Sequence, residues 1–211
     1  DLLRRLDDRF QLLQEPRSHR TARHRGLQAV LDSTWEGLTR SERDTLAQCS
    51  VFRGGFRLED AEEVIDLSQD PGAPWIVDIL QVLVDKGLLV SGTDVGKTRL
   101  RLLMSVADYA SSRFTAKGAS AVRVAAKRHA AHYAHFGYER TQRKVQMKGY
   151  VSLDAELFTE MGNIEAAANR ALAAGWTEEA VLACAAAVEV WHQRGPFDGG
   201  VDLMTKVMRL P

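Results

Sequence analysis

Val84-Asp85-Lys86-Gly87-Leu88-Leu89-Val90-Ser91-Gly92-Thr93-Asp94-Val95-Gly96-Lys97-Thr98-Arg99-Leu100-Arg101-Leu102 is the stretch on which the fold turns. It opens as the end of an amphipathic helix whose Ile76, Ile79, Leu80 and Leu83 recur at helical spacing. Gly87 suits the left-handed residue that closes such a helix. Leu88-Leu89-Val90 follows, then a glycine-bearing turn from Gly92 to Gly96, then the alternation Arg99-Leu100-Arg101-Leu102. Two short strands joined by a turn are the only β-signal in the chain.

Helices precede this hairpin. Leu27, Val30, Leu31, Trp35 and Leu38 fall along one stripe, and Thr39-Arg40-Ser41-Glu42 has the pattern of a capping box for the next helix. That helix buries Leu46, Cys49, Val51 and Phe52 and breaks at Gly54-Gly55. Phe56 and Leu58 open a short third helix through Val64, Ile65 and Leu67, and the fourth runs from about Trp75 to Lys86. Helices followed by a hairpin spell a winged helix over residues 26–117.

Everything after Met104 reads as helix. Alanine dominates the later part, from Ala166 to Ala187, and Gly162, Gly175 and Gly195 stand at expected joints. Small residues let helix axes approach closely, as in antiparallel pairs stacked into an array. Residues 118–211 are therefore expected to form antiparallel helical pairs of tetratricopeptide-like type, assigned by type because the joints give no clean period. Residues 1–25 divide into an amphipathic helix, with Leu2, Leu3, Leu6, Phe10 and Leu13 on one stripe, and a basic linker from Arg17 to Arg25. The fold class is mainly α with a small two-stranded wing.

Hydrophobic residues make up 45% and charged residues 27%, the balance of a globular chain and not of a disordered one. Lys and Arg total 28, as do Asp and Glu, so net charge names no partner. Distribution says more. Residues 97–148 hold twelve Lys or Arg against Asp108 and Glu139, whereas residues 41–80 hold nine acids against three bases, and residues 151–211 nine against four. The bland reading is that these zones face each other or a neighbouring domain; the sharper one is a face for nucleic acid or phosphate.

Within the basic zone, Arg113, Lys117, Arg123, Lys127 and Arg128 form a candidate interaction surface, read as docking a partner protein more readily than DNA. Arg17, Arg20, Arg23 and Arg25 in the linker are a second candidate that could touch a phosphate backbone. Cys49 and Cys184 lack metal or redox spacing and read as reduced core residues of a cytoplasmic protein. No apolar run is long enough to span a membrane. The start Asp1-Leu2-Leu3-Arg4, with neither Met nor a signal-like region, suggests a piece of a longer chain.

Catalytic chemistry finds little support. Gly92 and Gly96-Lys97-Thr98 superficially suggest a phosphate loop, but three residues separate the glycines where four are needed, and the stretch joins two strands. His129, His132 and His135 recur every third residue and drift around a helix, so they read as packing or surface residues. Trp35, Trp75, Trp176 and Trp191 read as core. With no nucleophile–base–acid set, the segment is expected to be non-enzymatic, with no cofactor or metal of its own.

Residues 27–110 resemble the winged-helix part of bacterial signal-transducing STAND ATPases, the NB-ARC-like proteins of the AfsR/SARP and LuxR-like activator kinds. The likeness rests on Leu27 to Leu38, Glu42-Arg43, Ser50 to Phe56, Val84 to Val90, Arg101-Leu102-Leu103 and Asp108-Tyr109-Ala110. Asn163 to Ala167, Gly175 and Trp191 to Gly195 look like the start of the tetratricopeptide-like region of such proteins, and Leu2 to Leu13 like the last helix before the winged helix. The resemblance implies a regulatory segment between an ATPase core that binds ATP or ADP and a signal-binding array, in a transcriptional regulator. Its partners would be that core, an effector domain, and a protein or peptide signal. Relatives often carry a Met-His-Asp sensor; Leu102, Leu103 and Met104 occupy those positions here, so the sensor is missing. The acidic third helix (Glu59, Asp60, Glu62, Glu63) and the basic middle would make or lose charge pairs as nucleotide state changes. The rival reading is a DNA-binding winged helix with a helical dimerisation domain. Its recognition helix would offer only Asp78, Gln81, Asp85 and Lys86.

Overall fold

In a computed structural model, residues 17–94, 96–147, 151–195 and 197–210 are described, so the helix expected over Leu2 to Leu13 lies outside them. The chain divides into two units, Asp1–Thr39 and Arg40–Pro211. Helix α1, Arg17–Glu36, belongs to the first. It overturns the expected linker, because Arg17, Arg20, Arg23 and Arg25 lie in its opening turns. Polar composition had suggested a loop, yet residues 17–25 contain neither Pro nor Gly, and arginine and alanine are good helix formers.

The second unit begins with α2, Arg40–Cys49, which buries Leu46, Ala47 and Cys49 and packs against α4, Ile76–Asp85, and α5, Met104–Ala116. Gly54 and Gly55 then turn the chain with φ of 80° and 106°. Phe56 forms a single antiparallel bridge with Leu100, each donating its N–H to the other's carbonyl at 2.8 Å. A Cβ on Gly55 would lie 2.8 Å from the Leu100 carbonyl oxygen, so this bridge requires glycine before it. Phe56 thus belongs to a bridge rather than to the third helix, α3, which spans Leu58–Val64.

Helix α4 buries Ile79, Leu80 and Leu83, as its spacing foretold. Gly87 (φ 69°) ends it in a Schellman arrangement, with the Leu88 N–H donated to the Leu83 carbonyl at 2.9 Å. Trp75 at its start is 80% exposed, against the expectation of a core tryptophan. The residue precedes the first helical turn, where no apolar stripe yet aims it inward. Trp191 is buried, while Trp35 and Trp176 are only partly covered.

Strands β1, Leu89–Asp94, and β2, Lys97–Leu102, pair antiparallel with Leu89 opposite Leu102 and Asp94 opposite Lys97. The strands are longer than the residues suggested: Gly92 to Asp94, read as turn, are paired, and Gly96 (φ 74°) lies in the two-residue connection. Helix, bridge, helix, helix and hairpin follow the order of a winged helix.

Helix α6, Ala119–Met147, continues through Gly137 without a break. A Cβ on Gly137 would meet the Ala186 Cβ at 2.5 Å, so this glycine serves close helix packing. Helices α7 (Val151–Thr159), α8 (Met161–Ala174), α9 (Thr177–Arg194) and α10 (Phe197–Val207) follow. Helices α6, α8 and α9 pack on one another through Ala130, Ala134, Ala167, Ala168, Ala171, Ala183, Ala186 and Ala187, all with no exposed surface. Gly175 (φ 70°) turns α8 directly into α9, which makes these two antiparallel. Gly162 lies inside α8 and not at a joint; a Cβ there would come within 3.2 Å of the Arg53 carbonyl oxygen. The architecture is mainly helical with one small antiparallel sheet. No helix among the described residues is long and apolar enough to cross a membrane.

Candidate functional site

The winged-helix elements and the helical layer meet inside the second unit along a seam of buried polar groups. Arg99 starts it. Strand alternation places Arg99 and Arg101 on one face of β2, yet Arg101 is exposed and Arg99 is buried, because only Arg99 lies under the start of α8. Its guanidinium binds Glu160 through two nitrogens, Nη1 to Oε1 and Nη2 to Oε2, the latter at 3.0 Å. Nη2 also donates to the Gly55 carbonyl at 3.0 Å. Glu160 has no exposed surface, and Arg57 Nε stands 3.8 Å from its Oε1.

Asn163, one turn along α8, completes the lock. Its Nδ2 donates to the Gly55 carbonyl at 2.8 Å and to Glu160 Oε2 at 2.9 Å, while its Oδ1 accepts the Arg53 N–H at 2.6 Å. The same oxygen accepts from His129 Nε2 at 3.3 Å, leaving His129 Nδ1 to accept from Arg170 Nη1 at 3.0 Å. This pattern requires a neutral imidazole with its proton on Nε2. Burial and the neighbouring Arg170 push His129 well below its ordinary pKa. Burial lowers Arg170 to about 10, so it remains a cation at neutral pH. For Arg99, burial alone would favour the neutral form, but Glu160 outweighs it and the pKa is raised.

A second junction lies on α3. Asp60 accepts the Arg57 N–H at 2.7 Å and pairs with His132 Nε2 at 2.8 Å. Burial would raise its pKa, yet His132 and the Arg57 amide win and lower it. His129, His132 and His135 thus take separate partners, the last donating from Nδ1 to the Ala131 carbonyl at 2.9 Å.

The five residues proposed as a basic surface all make contacts within the chain. Arg113 Nε donates to the Tyr109 hydroxyl at 2.9 Å, and Lys117 pairs with Asp44. Arg123 lies 5.5 Å from the Trp176 ring centre. Lys127 reaches Glu179 at 2.6 Å and the same ring at 4.9 Å. Arg128 bonds the Val64 carbonyl, Asp66 at 2.7 Å and Gln48 at 3.1 Å. With Lys97 and Arg140 both on Glu156, the basic middle faces the two acidic zones that flank it in sequence.

Sequence reasoning missed Arg99, Glu160, Asn163 and Asp60 as a set. Nothing in their spacing links them. The one available signal was the alternation of arginine with leucine in β2, which does not separate Arg99 from Arg101. The sensor positions are as open as their apolar character allows: Leu103 precedes α5 and Met104, its first residue, is 82% exposed.

Over 204 residues the chain is 28% identical to proteins of Mycobacterium bovis and Mycobacterium tuberculosis that carry the provisional name HTH-type transcriptional regulator. The match takes in 96% of this chain but 22% of theirs, so the chain spans about a fifth of their length. An uncharacterised Mycobacterium tuberculosis protein is 30% identical over 118 residues, which is 56% of this chain and 30% of that protein. No family model and no solved structure matches.

Proposed function

We propose that this chain is the regulatory, protein-interaction segment of a transcriptional regulator of the STAND ATPase type, with no catalysis of its own. The supporting observation is the Arg99–Glu160–Asn163 seam, which ties the wing and the Gly54–Phe56 loop to α8. A buried, multiply bonded charge pair resists shear, so the winged helix and helical layer move as one lever. A lever suits a part that passes nucleotide state in an upstream ATPase core to a signal-binding array or effector domain. ATP or ADP would bind that core and not this segment, and the regulator would work in the cytoplasm. The name of the mycobacterial relatives supports a role in transcription.

The DNA-binding reading draws on the same name, but α4 argues against it. The outward Asp78 and Asp85 would face phosphates, Gln81 is bonded to Asp85 at 2.8 Å, and Lys86 is held by Glu42 at 2.7 Å. Two measurements separate the readings. Reversing charge at Arg123, Lys127 and Arg128 in the intact regulator should change signalling and domain association, and unchanged behaviour would sink the lever. Duplex DNA binding by this chain that weakens steeply with salt would promote the rival.

A further inference from the structure

Met104, the first residue of α5, is 82% exposed, and Leu103 before it is 51% exposed. Apolar residues scattered singly over a surface are ordinary, but these two are adjacent and stand at the corner where β2 passes into α5. Met104 also lines a hollow of about 640 Å³ together with Arg53 and Arg101. Both arginines are exposed, and neither forms an ion pair among the described residues. Arg53 is held in place by its own loop, with Nη1 donating to the Ser50 and Phe52 carbonyls at 2.8 and 3.0 Å. Helix α5 has no acidic residue in its first turn, and Leu103 gives it no side-chain cap, so its positive end is bare. Asp108 is the one acid lining the hollow. The corner is apolar at its tip and cationic around it.

The opposite character belongs to a cleft of about 580 Å³ between α3, β2 and α6. Ala131 and Phe136 give it an apolar wall. Its cations are already engaged, Lys97 and Arg140 by Glu156, Arg57 by Glu160 and His132 by Asp60. Its rim is not: Glu59 and Glu63 are exposed without an ion pair among the described residues, and Glu139 reaches only Arg143, at 3.9 Å. Corner and cleft share no residue, and both lie in the second unit. An acidic rim alone names no ligand, but here the same chain presents its complement. We propose that copies of this chain associate head to tail, the Leu103–Met104 corner of one entering the α3–β2–α6 cleft of the next. A second copy answers both surfaces at once, bringing carboxylates to Arg53 and Arg101 and an apolar wall to Met104. Because the two faces differ, each added copy leaves a corner and a cleft free, and the assembly is open-ended. The pairing goes beyond the ATPase reading and does not rest on it.

Sedimentation velocity on the 211-residue chain over the micromolar to about millimolar range tests this. The mean mass should rise with concentration past that of a dimer and fall with added salt, which screens the rim charges. Arg101→Glu/Met104→Ser spoils the corner, and Glu63→Arg/Glu139→Arg spoils the cleft. All four positions are exposed, so melting temperatures should change little. Each double variant alone should associate at least about tenfold more weakly. Mixed, the two variants should form an equimolar dimer and stop there, because one keeps an intact cleft and the other an intact corner. A chain that stays monomeric throughout would leave the corner to a different protein and overturn the proposal. So would association that ignores both variants, or a mixture that remains monomeric. The ATPase reading is tested on the intact regulator, so either idea can fail without the other.

Discussion

Two regions of this molecule hold opposite charges together, and they do so under different physics. At the seam, Arg99 and Glu160 are shut away from water and tied to backbone carbonyls and Asn163. Along the outer face of α6, Lys127–Glu179 and Arg128–Asp66 join the same kinds of groups with the cations 43% and 29% exposed. Coulomb attraction in the low-dielectric seam is strong, but so is the desolvation penalty, so the pair matters chiefly because losing one member strands the other. On the outer face water screens both gain and loss. Charge density in the sequence marks the cheap contacts, while the costly one is made by one of two arginines in β2 that only burial tells apart.

The comparison can be broken most forcefully at Glu160. Glu160→Ala leaves Arg99 buried without a counter-ion and should cost about 3–5 kcal/mol, read as a fall in the urea midpoint. Replacing both members by methionine should recover much of that loss; if it does not, the seam depends on shape and not on charge.

Next in size is Gly137, where the helical layer is closest packed. Gly137→Val must displace Ala186 and should cost roughly 1–3 kcal/mol by overpacking, visible as a lower melting temperature. Asn163→Ala, which abandons the Gly55 carbonyl and the Arg53 amide, should cost about 1–3 kcal/mol.

Acidity discriminates the two regions further. His129 is neutral in the folded chain with its pKa pushed below 6.5, whereas the unfolded chain takes up a proton near that value. The unfolded state therefore binds more protons, so stability is whole above pH 6.5 and declines as pH falls through that value. The outer-face carboxylates Asp66 and Glu179 have lowered pKa values, through hydrogen bonds from Ser68 and Arg128 for Asp66 and from Lys127 for Glu179, in each case against burial. Their contribution persists above the ordinary carboxylate range and disappears only below it. Chemical denaturation from pH 7.5 to 5.5 should show a decline that His129→Gln flattens; an equal slope in the variant would refute the assignment. The smallest effect belongs to Lys127→Ala, expected at about 0.2–1 kcal/mol and diminished by salt.

Much of the architecture was legible. The stripe through Ile76, Ile79, Leu80 and Leu83 and the cap at Gly87 mark α4 from local spacing, because helix burial repeats every three or four residues. The alternation at Arg99 to Leu102 marks the wing in the same way. A glycine misled where its reason was a distant neighbour: Gly162 reads as a joint but answers to Arg53. The charge zones were visible, and the reading that they face one another agrees with Lys117–Asp44 and Lys127–Glu179. Arg99 could not be singled out, since its partner is 61 residues away.

From its residues alone this protein determines most of its helices after Gly26, where a hairpin closes the first helices, and that alanine faces will pack closely. Those properties depend on periodicity and capping within a few residues. Tertiary structure alone decided that Arg99 rather than Arg101 is buried, that His129 stays neutral, and that Glu160 and Asn163 close on the Gly55 carbonyl and Arg99. Each of those depends on which side chain a remote segment brings into a water-poor space, and spacing along the chain carries no record of that.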